Sequence, residues 1–202
     1  MARITASEII RVIEGFPPQY NPEAARRGIE AHKRIIGGMK SGQIPEILQR
    51  AGVRGPVRGE VREEVKLFDD LTLGARIDAE DERTNIELKP GDLRGRHLLQ
   101  TAAGCRARGN GLGVVYFYDH ERVAVLEDGG GEVWEDIGVM AAEARRILDI
   151  QAEFDNGKRS MNPQRRRELG QEAIDIRRGS FDPRVERVLG TLTRRVVGRG
   201  GR

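Results

Sequence analysis

Residues 74–91 read GARIDAEDERTNIELKPG. Both flanks have strand character and a polar turn lies between them, so Asp78 can face Glu87 and Lys89 across a hairpin. On a strand, residues two apart share a face. Glu87 and Lys89 therefore point together, while Ile86 and Leu88 enter the opposite layer, and Ile77 and Ala79 are expected to flank Asp78 facing away. Two carboxylates beside a lysine are costly in a plain fold and useful around a divalent cation. Oxygen ligands suit Mg²⁺ or Mn²⁺, which supply Lewis acidity and activate a bound water. Lys89 can hold that water, stabilise charge on phosphorus oxygens, or accept a proton if its pKa is lowered. Acidic-x-Lys is common in charged chains, and a salt-bridged structural hairpin is the competing explanation of these residues.

Upstream, Asn21 as cap, Pro22 at the first helical position and Glu23 in the first turn predict a helix over 22–36, stopped by Gly37-Gly38. His32 lies on its face with Ala25, Gly28, Ile29, Ile35 and Ile36. It is either a core histidine or an imidazole that completes a metal shell, and Gly28 would let another backbone or DNA approach. Downstream, a helix over 92–108 carries Leu93, His97, Gln100 and Ala103. Gln100 is either a half-exposed helix residue or a hydrogen-bonding partner of a phosphate or metal ligand.

The remaining pattern fills in a mixed α/β (α+β) chain. Thr5-Ala6-Ser7-Glu8 fits a capping box ahead of a helix that Gly15-Phe16-Pro17-Pro18 ends. A short helix is expected near 44–50. Period-two alternation from Val57 predicts a strand to Phe68, followed by strands at 71–79 and 84–89. Leu112 to Tyr118 is the most apolar strand and belongs at the sheet centre. A strand at 121–127 and a helix at 135–150 follow. Asn162-Pro163 and Asp182-Pro183 each pair a cap with a first-turn proline, so two further helices are expected, docked to about Val197, with Gly198 to Arg202 fraying. The order gives a mixed central sheet flanked by helices, with extra C-terminal helices.

The chain has 202 residues, 33% of them charged, and a net charge of +3. The charge is uneven: residues 158–202 hold 13 Lys and Arg against 5 Asp and Glu, the remainder 22 against 27. A basic tail on a slightly acidic body suggests an anionic partner, or a solvated helical face. Arg165, Arg166, Arg167, Arg177 and Arg178 are the candidate phosphate contacts, and neutralising either cluster is expected to flatten the salt dependence of nucleic-acid binding. Cys105 is the single cysteine, which excludes an intramolecular disulfide and a cysteine-only metal or iron–sulfur site. No signal peptide or membrane-spanning run is evident, so a cytoplasmic protein (intracellular, or in a host cell if viral) without membrane association is expected.

Arg27-Gly28-Ile29-Glu30-Ala31-His32, Gly74-Ala75-Arg76-Ile77-Asp78, Ile86-Glu87-Leu88-Lys89-Pro90-Gly91 and Leu98-Leu99-Gln100 occur in the order seen in RecB-type nucleases of the PD-(D/E)xK superfamily. Over about residues 22–127 the chain resembles that family, including its CRISPR-associated exonuclease branch. The resemblance implies a restriction-endonuclease-like sheet within a core at 1–155, with 156–202 as a basic helical extension packed on it. It implies that His32, Asp78, Glu87 and the Leu88 carbonyl bind Mg²⁺ or Mn²⁺, that Lys89 is catalytic, and that Gln100 matches the family's helix glutamine. Glu60 or Glu64 matches the acidic residue of the upstream strand. The chain departs from the pattern at Gly104, where the family often has tyrosine, at Ile77 in place of proline, and in lacking the cysteines of an iron–sulfur cluster.

The function implied is a metal-dependent DNA nuclease, an exonuclease preferring single strands or ends. Its setting would be DNA repair, recombination, CRISPR adaptation or viral DNA processing, as a homo-oligomer or within a DNA-processing complex. The competing function is a non-catalytic nucleic-acid-binding or structural module of such an assembly.

Overall fold

The computed structural model describes residues 2–15, 22–157 and 160–200. It opens with a strand the sequence did not announce, β1 (Ala2–Thr5), which runs directly into α1 (Ala6–Glu14). The Thr5 hydroxyl accepts from Glu8 N–H at 3.2 Å, and the Glu8 carboxylate accepts from Thr5 N–H at 2.7 Å, so the capping box forms as expected. Phe16, Pro17, Pro18 and Asn21, expected as a helix stop and a cap, lie outside the described residues.

Helix α2 (Pro22–Lys40) does not stop at Gly37-Gly38. A glycine in a helix interior costs only about 1 kcal/mol against alanine. Met39, 1% exposed, anchors the extra turn in a hydrophobic cluster, and this outweighs the local glycine preference. Helix α3 (Glu46–Arg50) follows, then β2 (Arg58–Phe68), β3 (Leu71–Glu80) and β4 (Thr84–Lys89). Helix α4 (Gly95–Arg108) starts three residues later than expected, with Arg94 at its cap. Strands β5 (Leu112–Phe117) and β6 (Arg122–Glu127) lead through a 3₁₀ turn at Asp128–Val133 into α5 (Trp134–Asn156).

The tail forms α6 (Pro163–Ile176) and α7 (Asp182–Arg194). Asn162 caps α6 through its side chain, which accepts from Gln164 N–H at 2.9 Å. Asp182 does not cap α7. The chain passes from one helix to the other through a π turn at Arg177–Phe181, because fully buried Phe181 keeps that turn coiled against the core. The expected fraying also fails within the described residues, since Val196–Gly200 forms β7, antiparallel to β6.

Among the described residues the strands form one seven-stranded mixed sheet in the order β1-β3-β4-β5-β6-β7, with β2 on the remaining edge of β3. Strand β5 is interior and joins parallel β4 to antiparallel β6. One face carries α1, α4, α5 and α7 over a core that includes Ile9, Leu73, Leu99, Val115, Leu126, Met140 and Leu192. The other carries α2 and α3 over Ile36, Leu48, Ile86, Leu88, Val114 and Val125. Helices thus cover both faces of a mixed sheet, the architecture the element order predicted. No helix among the described residues is long and apolar enough to cross a membrane.

Candidate metal centre at the fork between β3 and β4

Strand β2 pairs with one edge of β3 from Leu71 to Glu80. The other edge of β3 is divided. Strand β1 takes Leu71 to Gly74 in parallel register, and β4 takes only Ala79 and Glu80, opposite Ile86 and Asn85. Residues 75–78 therefore face a gap in the ladder, because β1 has turned away into α1 and β4 has swung over to β5. Extending the β3–β4 register by one step would place Asp78 opposite Glu87, as expected, but the strands diverge there. The expectation that Ile77 and Ala79 share a face away from Asp78 does not hold. Ala79 packs in the α2–α3 core, whereas Ile77 lies against α4, where a Cβ on Gly104 would be 3.2 Å from Ile77 Cγ1. The alternation of β3 breaks at Asp78 and turns its carboxylate into the fork.

The fork gathers the candidate residues. Asp78 Oδ2 accepts from Leu88 N–H at 2.9 Å, replacing the missing ladder bond. A residue's N–H and C=O point to the same side of a strand; the Leu88 carbonyl accordingly faces the gap, on the side of His32. His32 Nδ1 stands 3.8 Å from Asp78 Oδ1, brought from the α2 face of the sheet. Burial lowers the His32 pKa, partly offset by Asp78, which favours the neutral ring. Tyr118 meets that ring edge-on, with centroids 6.0 Å apart.

Glu87 is 3% exposed, and burial, with Asp78 adding to it and Lys89 opposing, pushes its pKa up to about 8. Glu87 Oε1 is in ion-pair contact with Lys89 Nζ yet has no well-directed hydrogen bond. Glu87 thus has a single ammonium contact against its burial, while Asp78 is held by the Leu88 N–H and faces the His32 ring. Among the described residues, no group of three or more His, Cys, Asp and Glu is drawn together closely enough to count as a formed metal cage. The donor set still fits a hard divalent cation: two carboxylates, a carbonyl and a neutral imidazole, with one buried carboxylate oxygen lacking a hydrogen bond.

Gln100 reaches the fork from the α4 face. It lines three adjoining cavities, one shared with Lys89, one with Arg76 and Ser7, and one with Glu87. Gly104, one turn further on, explains why tyrosine is absent there. Even a Cβ would sit 3.2 Å from both Asn85 Nδ2 and Ile77 Cγ1, so α4 packs too close to the sheet for a ring. Of the two upstream acids, Glu60 is the nearer. Gly59–Ala79 and Val61–Ile77 bracket it opposite Asp78, its φ is 52°, and it pairs with Arg76 at 2.9 Å. Glu64 lies four residues along the strand and pairs with Arg3 at 2.7 Å.

None of the five tail arginines lines the cavity at Lys89. Arg165 binds Glu153 at 2.9 Å, which raises its pKa. Arg177 donates to the Val12 carbonyl at 2.8 Å and lies over the Phe181 ring. Arg166 lines a separate hollow with Phe154 and Asp155, while Arg167 and Arg178 are exposed. Sequence reasoning missed several neighbours of the fork. Tyr118, Arg96 and His97 carried no motif, and Arg76 figured only within the stretch from Gly74 to Asp78. Fully buried Glu80, held by Arg58 at 2.9 Å and Arg108 at 3.3 Å, was also unforeseen. Cys105 is buried, and burial pushes its thiol up to about 12, which leaves it a small apolar core residue.

No known protein family, curated protein or solved structure matches the chain at a significant level.

Proposed function

We propose that the protein is a Mg²⁺- or Mn²⁺-dependent DNA nuclease of the RecB type, an exonuclease acting on single strands or DNA ends. The observation that carries this reading is the convergence of His32, Asp78, Glu87, the Leu88 carbonyl and Lys89 at a gap in the sheet. Glu87, Leu88 and Lys89 are neighbours on β4, but His32 from α2 and Asp78 from β3 are brought to them by the fold.

In this reading Asp78, Glu87, His32 and the Leu88 carbonyl hold the cation, which when bound supplies Lewis acidity toward the phosphate and toward a water molecule. Leu88 N–H fixes the Asp78 carboxylate, so this one residue orients one ligand through its N–H and offers its carbonyl as another. Lys89 holds the attacking water or the phosphate oxygens as negative charge grows on them. Such placed proton-transfer and electrostatic groups contribute about 10²–10⁴-fold to rate. Gln100, which lines the cavity beside Lys89, is available to a phosphate oxygen. Hydrolysis joins the water oxygen to phosphorus and breaks one ester bond, and the leaving oxygen departs with a proton.

The decisive assay uses end-labelled single- and double-stranded DNA with and without Mn²⁺. Parent protein is expected to degrade DNA only with the metal. Lys89→Ala is expected to slow it by about 10²–10⁴-fold, and Asp78→Ala to abolish it. Intact DNA with both Mg²⁺ and Mn²⁺ sinks the proposal. A second reading, a nucleic-acid-binding or structural module without turnover, is favoured by the absence of a closed three-ligand cage among the described residues. It requires metal-independent binding without cleavage.

A further inference from the structure

Arg62 of β2 and Arg76 of β3 are directly opposite partners on antiparallel strands. Such partners hold their Cβ atoms about 4.5–5.5 Å apart, and like charges placed so destabilise a sheet. Other cations of this face are answered by carboxylates: Arg76 by Glu60 at 2.9 Å, Arg3 by Glu64 at 2.7 Å and Lys66 by Asp69 at 2.9 Å. Arg62 has no acidic partner among the described residues. A third guanidinium joins the pair. That of Arg3 rests on Gly74, where a Cβ would stand 2.9 Å from Nη2, 3.1 Å from Nε and 3.3 Å from Cζ. The missing side chain at Gly74 is what makes room for it.

Arg3, Arg62 and Arg76 line a cavity of about 190 Å³, and no acidic side chain lines it with them. Glu60 and Glu64 stay outside that lining, and exposed pairs like theirs are weak. The fold alone gives no reason to turn three guanidiniums into one hollow. An anion between them removes the repulsion and matches their planar donor forks. The volume falls below the roughly 300–1,000 Å³ of ordinary ligand pockets, so it suits a phosphate rather than a nucleoside. The hollow also leads somewhere. Ser7 and Gln100 line both it and the cavity beside Lys89, where Arg96 and His97 lie, and Arg76 and Gln100 meet Glu87 in a small cavity between.

We propose that Arg3, Arg62 and Arg76 hold the backbone phosphates of a single-stranded nucleic acid as it leads into the metal centre. This rests on the nuclease reading for the strand's destination, but not for the anion site itself. The three arginines are positioning residues and take no part in bond breaking. A hollow this narrow accepts the phosphates of one strand, which gives a preference for single strands a structural source. The arginines of the C-terminal helices are not needed to place the strand.

The test is fluorescence anisotropy of a labelled oligothymidylate with the full-length, metal-free protein over a range of salt. Arg62→Gln is expected to weaken binding about tenfold at low salt. It should also lower the slope of log K against log salt by about 0.7, the share of one single-strand phosphate contact. Lys66→Gln removes the same charge from the same strand outside the cavity and should leave the slope near parent. Gly74→Ala changes no charge but displaces the Arg3 guanidinium, and should weaken binding too. Arg62→Gln should melt at or above the parent's temperature at low salt, because it relieves the repulsion with Arg76. Inorganic phosphate, the second probe, is expected to displace the oligonucleotide no better than chloride at equal ionic strength. Displacement at far lower concentrations would assign the hollow to free phosphate and overturn the strand path. Equal effects of Arg62→Gln and Lys66→Gln, or a lower melting temperature for Arg62→Gln, overturn the site even if DNA is cleaved. With Mn²⁺, Arg62→Gln should raise KM more than it lowers kcat. An Arg62-dependent slope in a protein that cleaves nothing upholds the site, and the nuclease reading then fails alone.

Discussion

Glu87 is the residue at which the conflict in the site is sharpest. Its carboxyl is pushed from an ordinary 4.5 up to about 8, first by burial, then by Asp78, against the pull of Lys89. The folded protein therefore keeps the proton on Glu87 across a range of pH where the unfolded chain has lost it. Between about pH 4.5 and 8 the folded state binds more protons, so this group's contribution to stability is complete below 4.5 and is lost as pH rises toward 8. Glu87→Gln removes that titration. Its melting midpoint relative to parent is expected to climb steadily from pH 5 to pH 8, as read by thermal denaturation at fixed ionic strength. A difference independent of pH contradicts the burial account. Mn²⁺ should reverse the slope in the parent, since a cation bound at the carboxylates competes with the proton and stabilises the folded state increasingly as pH rises. The Gln variant should lose most of that response.

At the scale of elements, the site depends on how closely α2 lies on the sheet. A Cβ built on Gly59 of β2 would stand 2.3 Å from Ile36 Cγ2 and 3.2 Å from Lys40 Cε. Ile36 sits one helical turn beyond His32, so the side chain missing at Gly59 is what lets α2 bring His32 to Asp78. Gly59→Ala forces the helix outward at an overpacking cost of about 1–3 kcal/mol. It is expected to weaken Mn²⁺ binding and cleavage, while far-ultraviolet circular dichroism stays close to parent. Gly138→Ala in α5, whose new Cβ would meet only contacts at 3.8 and 3.9 Å, is the matched control and should leave metal binding unchanged. Undiminished Mn²⁺ affinity in Gly59→Ala would break the link between helix approach and site.

This dependence also shows where the sequence stopped being informative. Strand parity put Glu87 and Lys89 on one face, because a period of two is a local property, but it failed at Asp78, where the alternation breaks. The gap that makes Asp78 useful was illegible, because it depends on β1, four residues long and paired with a segment about seventy positions away. The glycines at 37–38 misled for the converse reason: a local stop signal was outweighed by Met39 in a distant core. Asp182-Pro183 had the chemistry of a helix start, but the burial of Phe181 decided the geometry. Arg96 and His97 carry no recognisable spacing, and only the folded helix start brings them to the cavity beside Lys89.

Across the whole molecule, the C-terminal segment is a structural participant whatever its electrostatic role. Phe181, Val185, Val188 and Leu192 belong to the same core as α1, α4 and α5, and β7 pairs with β6 from Leu126 to Arg122. Burying each of those four side chains is worth about 1.5–3 kcal/mol. Their sum is therefore comparable with the roughly 5–15 kcal/mol that separates a folded domain from its unfolded chain. Two of the five candidate phosphate-binding arginines also serve the fold, Arg165 through Glu153 and Arg177 through the α1 carbonyl of Val12. A chain ending at Asn156 loses all of this and uncovers the core those side chains share with the sheet, including Leu126 of β6. It is expected to lack a cooperative urea transition and to bind a hydrophobic dye. Leu192→Ala in the full chain should cost about 2–5 kcal/mol while leaving the fork assembled. A truncated chain that unfolds cooperatively at the parent's urea midpoint would instead make residues 157–202 an appendage, and would return the basic tail to a purely electrostatic role.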